Sequence, residues 1–402
     1  MSVVNTRTIP GGEGILISSA AETETAVPQS QADFDRPLVS ILGLPFDLID
    51  LGQAVQHIRA AAFAGRRCFV STPNLNFAIA ARSNTDFRDS VLRSDLSLID
   101  GMYLVWIARL LGLPVRERVS GADLFEALRA HAGPPIGVYL FGGPPGNAAL
   151  AAEAINRGQS GVHCVGFDAA GFGSIESMSS EPQIARINSS GAHFVVVSLG
   201  AGKGQAWLEH NAARLTAPVL SHLGAVMNFT AGTVRRAPRW LQVSGLEWFW
   251  RVWQEPALWR RYVVDGAAMV GLLTTHVLPD ALDGWYWHAF GRREDSPTQL
   301  ELVTAAEGCV LTLFGNWRDE SKLSALRDAF KQCVSNCASN CAPVRVDMAG
   351  VTGVGSGITG LLLVASKWFA RQGGFDVVGA TPQLAARLRR KLVAQTLLGA
   401  GR

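Results

Sequence analysis

Six short apolar runs, each closed by a small or polar residue, restrict most what this chain can fold into. They are Cys68–Thr72, Leu96–Ile99, Gly137–Phe141, His163–Phe167, Phe194–Leu199 and Val219–Leu223. Stretches of helical periodicity separate them, and that alternation predicts an α/β fold of βαβ units on a parallel, Rossmann-like sheet. Thr72, Asn74 and Asp100 fall where two of the runs end. In an open α/β sheet the carboxyl ends of the strands form the crevice where ligands bind. These three side chains are therefore the first site candidates. The helical stretch between the two runs should break near Ser83–Asn84.

Two glycine-rich turns lie at the same predicted edge. Gly142-Gly143-Pro144-Pro145-Gly146-Asn147 leads into an alanine-rich helix, and Gly200-Ala201-Gly202-Lys203-Gly204 follows a strand. Free N–H groups at a helix start favour phosphate, which makes Gly142, Gly143, Gly146, Gly200 and Lys203, with the adjacent Gln205, candidate phosphate contacts. An ordinary βα turn is the alternative reading of the first. The second is no Walker A loop, because no Gly-Lys-Ser/Thr closes it.

At 402 residues the chain has room for two or three domains, and a net charge of +3 does not suggest a nucleic-acid binder. Six unevenly spaced cysteines do not form a secreted disulfide framework. Residues 1–36 contain few large apolar residues and read as a disordered tail. The charge-poor runs His131–Glu153 and Met348–Ser366 are broken by glycine, and Gly266–Pro279 spans 14 residues, so no membrane-crossing helix is expected.

From Arg235 the composition changes. RRAPRWLQVSGLEWFWRVWQEPALWRRY holds six Arg against two Glu, and seven of the eleven Trp lie between Trp240 and Trp287. Interleaved Arg and Trp suit a membrane interface, where indoles sit at headgroup depth and guanidinium groups meet lipid phosphate. A helical subdomain packed on the sheet, with its arginines paired to Glu247 and Glu255, is the alternative. The expected boundaries are a tail at 1–36, a sheet domain at 37–234, an appendage and linker at 235–296, and a small α/β domain at 297–402.

Gly355-Ser356-Gly357-Ile358-Thr359-Gly360 formally matches a dinucleotide fingerprint, but Asp376 begins the next strand rather than ending it, so the match is rejected. Cys333, Cys337 and Cys341 would share a helix face without a fourth ligand, which disfavours zinc. The single Asp-x-Asp pair, Asp33 and Asp35, closes the tail, so a metal-independent site is expected. Asp100 could accept a proton from a hydroxyl nucleophile if burial raises its pKa; Asp-Gly is also a common turn pair.

With these residues in view, the region from about Leu38 to Tyr262 resembles the WecG/TagA/CpsF glycosyltransferases. The matching pieces are Thr72–Asn74, Asp100–Gly101, Glu117–Leu124, Phe141–Gly146, Ala231–Gly232, Arg236–Trp240, Gly245–Trp248, Arg251, Glu255–Pro256 and Arg260–Tyr262. The resemblance implies inverting transfer of a sugar from a UDP-sugar to a polyprenyl-diphosphate-linked acceptor, by a peripheral protein on the cytoplasmic face of the plasma membrane. It implies Asp100 as general base, with Thr72 and Asn74 in the same pocket. It places Arg236, Arg251, Arg260 and Arg261 in an appendage that contacts the membrane and completes the site. Where the family usually has Gly-x-Pro-Lys-Gln-Glu-x-Trp, this chain has Gly202, Gly204 and Gln205 in place of Pro, Gln and Glu; Asn228 stands where Asp is frequent.

Residues 300–400 resemble a STAS domain, similar to anti-sigma-factor antagonists, through VRVDMAGVTGVGSGITGLLL and the element order. That resemblance implies docking or dimerisation, and Ser356 as the position matching a phosphoacceptor. A scaffold that binds a nucleotide-sugar without catalysis is the rival to a transferase.

Overall fold

In a computed structural model, the runs read from the sequence become a six-stranded sheet. The structure describes residues 5–8, 33–158, 161–169, 173–290, 298–305, 308–340 and 343–399. Strands β1 (Asn5–Thr8), β2 (Leu38–Ile41) and β3 (Leu44–Asp47) come first. Then follow β4 (Cys68–Ser71), β5 (Leu96–Ser97), β6 (Ile136–Gly142), β7 (Val162–Asp168), β8 (Phe194–Ser198) and β9 (Val219–His222). The last six form one sheet in the order β5-β4-β9-β8-β6-β7, and every pairing in it is parallel.

The alternation of side chains along these strands builds two cores. Val70, Val138, Leu140, Val196 and Val219 face one side, with Ile58, Phe125 and Ile155 from the covering helices. Phe69, Tyr139, Phe141, Val195, Val197 and Leu220 face the other, against Ile184, Trp207 and Leu208. A strand buried on both faces has to be apolar throughout, which is why Phe194–Val197 reads as an unbroken hydrophobic run. Asn84 caps the ends of two helices, Leu75–Ser83 and Thr85–Leu92, at the expected break.

Residues 47–109 and 114–271 make one compact unit; the described parts of 1–46, 110–113 and 272–402 make the other. The second unit contains β10 (Gln299–Ala305), β11 (Gly308–Trp317), β12 (Val344–Val354) and β13 (Phe375–Val378) in a sheet of order β1-β10-β11-β12-β13. Pairs β1/β10 and β10/β11 are antiparallel; β11/β12 and β12/β13 are parallel.

Two features of this unit escaped the sequence reading. The hairpin β2–β3, turned through Leu42 and Gly43 at positive φ, packs β2 on the helix Ser356–Ala370. Gly360 makes that approach possible, because a Cβ there would lie 2.9 Å from the Val39 backbone; Ser40 Oγ meets Thr359 Oγ1 at 2.6 Å. The tail expected to be disordered over 1–36 also has ordered parts. Asn5–Thr8 pairs with β10, and Phe34 is fully buried, stacked on Phe330 and Phe369. A single aromatic in a polar tail gave too little pattern to reveal this. Most of the rest of that expectation lies outside the described residues.

Among the described residues one helical run, Pro256–Phe290, is by length and composition apolar enough to cross a membrane, and 11% of its most apolar window is buried. This departs from the expectation of no such helix, because the charge-poor run Gly266–Pro279 is only the middle of the run and helix continues on both sides. The acids on the run are partnered within their own units: Asp265 with Arg261 at 3.6 Å, Asp280 with Lys391 at 2.7 Å, and Asp283 with Arg318.

Candidate active site

A cavity of about 230 Å³ opens at the carboxyl ends of β4, β5 and β9. Past the strands, backbone bonds continue the register. Leu98 N donates to Ser71 O at 2.9 Å, Asp100 N to Pro73 O at 3.0 Å, and Val119 N to Ile99 O at 2.9 Å. Asp100 is thereby held between the Thr72–Asn74 corner and the start of the helix Gly121–Ala130. Gly101, at φ +120°, takes a conformation open to glycine. Gly121 must also be small, since a Cβ would lie 2.9 Å from Leu223 Cδ2 and 3.5 Å from Thr72 Oγ1.

Thr72, Asn74 and Asp100 all line this cavity, as the sequence predicts. Asn74 has a structural duty as well, its carbonyl oxygen accepting from Phe77 N at 3.2 Å to cap the next helix. Asp100 is enclosed, and loss of hydration pushes its carboxyl up to about 7. The Arg118 charge and a Gly121 N–H bond oppose that rise; the Glu247 and Asp123 charges add to it.

Arg118 and Asp123 are not singled out by the sequence, which names Glu247 only as a partner for the appendage's own arginines. Arg118 Nη1 donates to Glu247 Oε2 at 2.8 Å, and its Nη2 donates to Asp123 Oδ2 at 3.0 Å and Gln242 Oε1 at 3.1 Å. Arg236 Nη2 joins Asp123 Oδ1 at 2.5 Å. Ser120 Oγ and two arginines hold the Asp123 carboxyl below its ordinary range, despite burial. The only sequence signal was the run Glu117–Leu124 with Gly245–Trp248; the pairing joins positions more than a hundred residues apart.

The appendage supplies the cavity's other wall. Trp248, Arg251, Arg261, Tyr262 and Asp265 line it. Arg251 Nε is buried without a hydrogen-bond partner, and Asp265 accepts from Asn76 Nδ2 at 3.3 and 3.4 Å. Arg236 stands behind the wall on Asp123, and Arg260 lies over the exposed Trp259 ring. Trp240, Phe249 and Trp253 are also exposed, and the helix Glu247–Gln254 has no buried residue.

The glycine-rich turns do not line this cavity. Gly142 and Gly143 take positive φ, and each leaves no room for a side chain: a Cβ would meet Ser198 O at 2.8 Å or Met227 Sδ at 2.6 Å. Gly146 precedes the helix Asn147–Asn156, whose Asn147 Nδ2 donates to Asn228 Oδ1 at 2.9 Å. Gly200 precedes the helix Ala201–Asn211, and Lys203 Nζ donates to Gly173 O at 3.0 Å. Gln205 points inward, donating to Ser71 Oγ at 2.9 Å. Trp207 is fully buried, stacked on Phe141 at 4.1 Å.

Ser356 begins its helix almost fully buried, with Lys391 Nζ 3.5 Å from its hydroxyl. Cys333 is buried; the side chains of Cys337 and Cys341 lie outside the described residues. No group of three or more His, Cys, Asp and Glu suited to a metal occurs among the described residues.

The Glycosyl transferase WecG/TagA/CpsF family model matches residues 39–281. The match covers every residue that lines the cavity.

Proposed function

The chain belongs to the WecG/TagA/CpsF glycosyltransferases, enzymes of cell-envelope glycan biosynthesis, and we propose that it moves a sugar from a UDP-sugar to a polyprenyl-diphosphate-linked saccharide, with inversion. One observation supports the mechanism above others: Asp100 is a carboxylate in a cavity wall whose proton affinity is raised to about 7. A base of that strength is half-charged near neutral pH and can take a hydroxyl proton as bond formation proceeds. The acceptor oxygen attacks the anomeric carbon, its proton passes to Asp100, and the bond from that carbon to the UDP oxygen breaks. Negative charge gathers on the departing diphosphate. Arg251 and Arg261 line the cavity, and their guanidinium groups would receive it through charge-assisted bonds. Thr72 and Asn74 would orient the reacting sugar.

The exposed indoles and arginines of the appendage support a peripheral position on the inner face of the plasma membrane, where the lipid-linked acceptor resides. The element order of residues 308–390 supports a STAS-like role in docking a protein partner or a second copy. The test uses membranes, the full chain and a panel of labelled UDP-sugars. Label should enter the lipid extract with wild type and fail to do so with Asp100→Asn, while UDP-sugar binding persists. Turnover by Asp100→Asn at the wild-type rate would overturn the assignment.

A further inference from the structure

We propose that Glu247 is a positioning residue: by engaging Arg118, it keeps that guanidinium from pairing with Asp100 and so keeps the Asp100 carboxylate available to a substrate hydroxyl. This rests on Asp100 as the base.

The geometry is a competition among acids for one cation. Arg118 sits 11% exposed beside three carboxylates, Asp100, Asp123 and Glu247. Its hydrogen bonds go to Glu247, Asp123 and Gln242, and none goes to Asp100. Asp100 feels Arg118 only as a nearby charge, and the Gly121 N–H is the backbone group that favours its charged form. A buried carboxylate with direct bonds from an arginine becomes a weak base. Holding the guanidinium elsewhere prevents that. Asp123 cannot do so alone, because Arg236 and Ser120 already share it.

Glu247 is therefore the acid that completes the arrangement, and it starts the helix Glu247–Gln254. Gln242, on the helix Arg239–Val243, supplies the second appendage contact. Seating these two helices thus does more than close a wall; it sets how strongly Asp100 holds a proton. Tyr103, Arg251, Arg261, Tyr262 and Asp265 also line the cavity, and none of them bonds to Arg118.

The test reads Asp100 directly. Full-length protein carrying aspartate labelled with ¹³C at Cγ is titrated from about pH 5 to about pH 9, and Asp100→Asn assigns the signal. Glu247→Gln should lower the Asp100 midpoint by roughly one pH unit or more, as the Glu247 charge is lost and Arg118 turns to the carboxylate left nearby. Glu247→Asp, which keeps the charge, should hold it near the wild-type value. Gln242→Glu should move it upward by adding a third acid to Arg118, and serves alone if Glu247→Gln does not fold. An unmoved midpoint in Glu247→Gln, or in Gln242→Glu if that variant stands alone, overturns the proposal. Wild-type turnover by Asp100→Asn would instead sink the general-base reading, leaving the midpoint shifts to stand on their own.

Discussion

Asp100→Asn should cost activity and add stability, and the two effects have one cause. In the unfolded chain this carboxyl titrates near its ordinary 3.8; in the fold it titrates at about 7. Between those values the folded state binds the extra proton, so stability falls as pH rises through the window. Below pH 4 both states are protonated and the penalty vanishes. Above pH 7 the folded protein carries an ionised carboxylate that water would hold better. A displacement of that size corresponds to on the order of 2–4 kcal/mol, at 1.36 kcal/mol per pH unit, with the lower end allowing for water in the open cavity. Asparagine has the shape of the neutral acid and can still accept the Gly121 N–H bond, so it avoids the penalty. The measurement is urea unfolding of both proteins at a series of pH values, followed through the cavity-bearing unit. The gap should be small near pH 4, widen to pH 7 and then level. Transfer should drop by roughly 10²–10⁴-fold, the usual worth of a general base. A stability gap that stays constant with pH would refute the claim that burial loads this carboxylate.

Three further outcomes follow from packing and exposure. Trp207→Ala should destabilise the sheet unit by about 3–5 kcal/mol in chemical denaturation, because the ring is fully buried on Phe141 and its Nε1 donates to Met178 O at 2.8 Å. Within the same helix Gly204→Ala should cost about 1–3 kcal/mol, since a Cβ would fall 2.0 Å from the His222 ring, whereas Gly202→Ala, with open space around it, should raise the melting temperature by a gain of up to about 1 kcal/mol. Replacing the exposed Trp240 and Trp253 together by alanine should weaken co-sedimentation with anionic vesicles and leave the unfolding midpoint nearly unchanged; retention of full vesicle binding would count against the interfacial role.

The Gly200–Trp207 stretch shows where motif comparison and packing part. As a string it departs from the usual pattern at Gly202, Gly204 and Gln205. In the fold these positions face different surroundings: Gly202 faces open space, Gly204 fits against His222, and Gln205 bonds to Ser71 in the core. A pattern does not say which way each residue points. The hairpin β2–β3 escaped for a related reason, since its partner Gly360 lies more than three hundred residues away.

By itself the sequence determined the parallel sheet, through apolar runs that had to be buried on both faces, and it placed Thr72, Asn74 and Asp100 together at the edge. Period and turn chemistry are local, so they survive in a string of letters. The tertiary structure decided what surrounds Asp100. Arg118 bonds Glu247 across 129 positions and Arg236 bonds Asp123 across 113, and no spacing rule links such pairs. A carboxylate becomes a base through the dielectric and the charges around it, and those exist only once distant segments have packed.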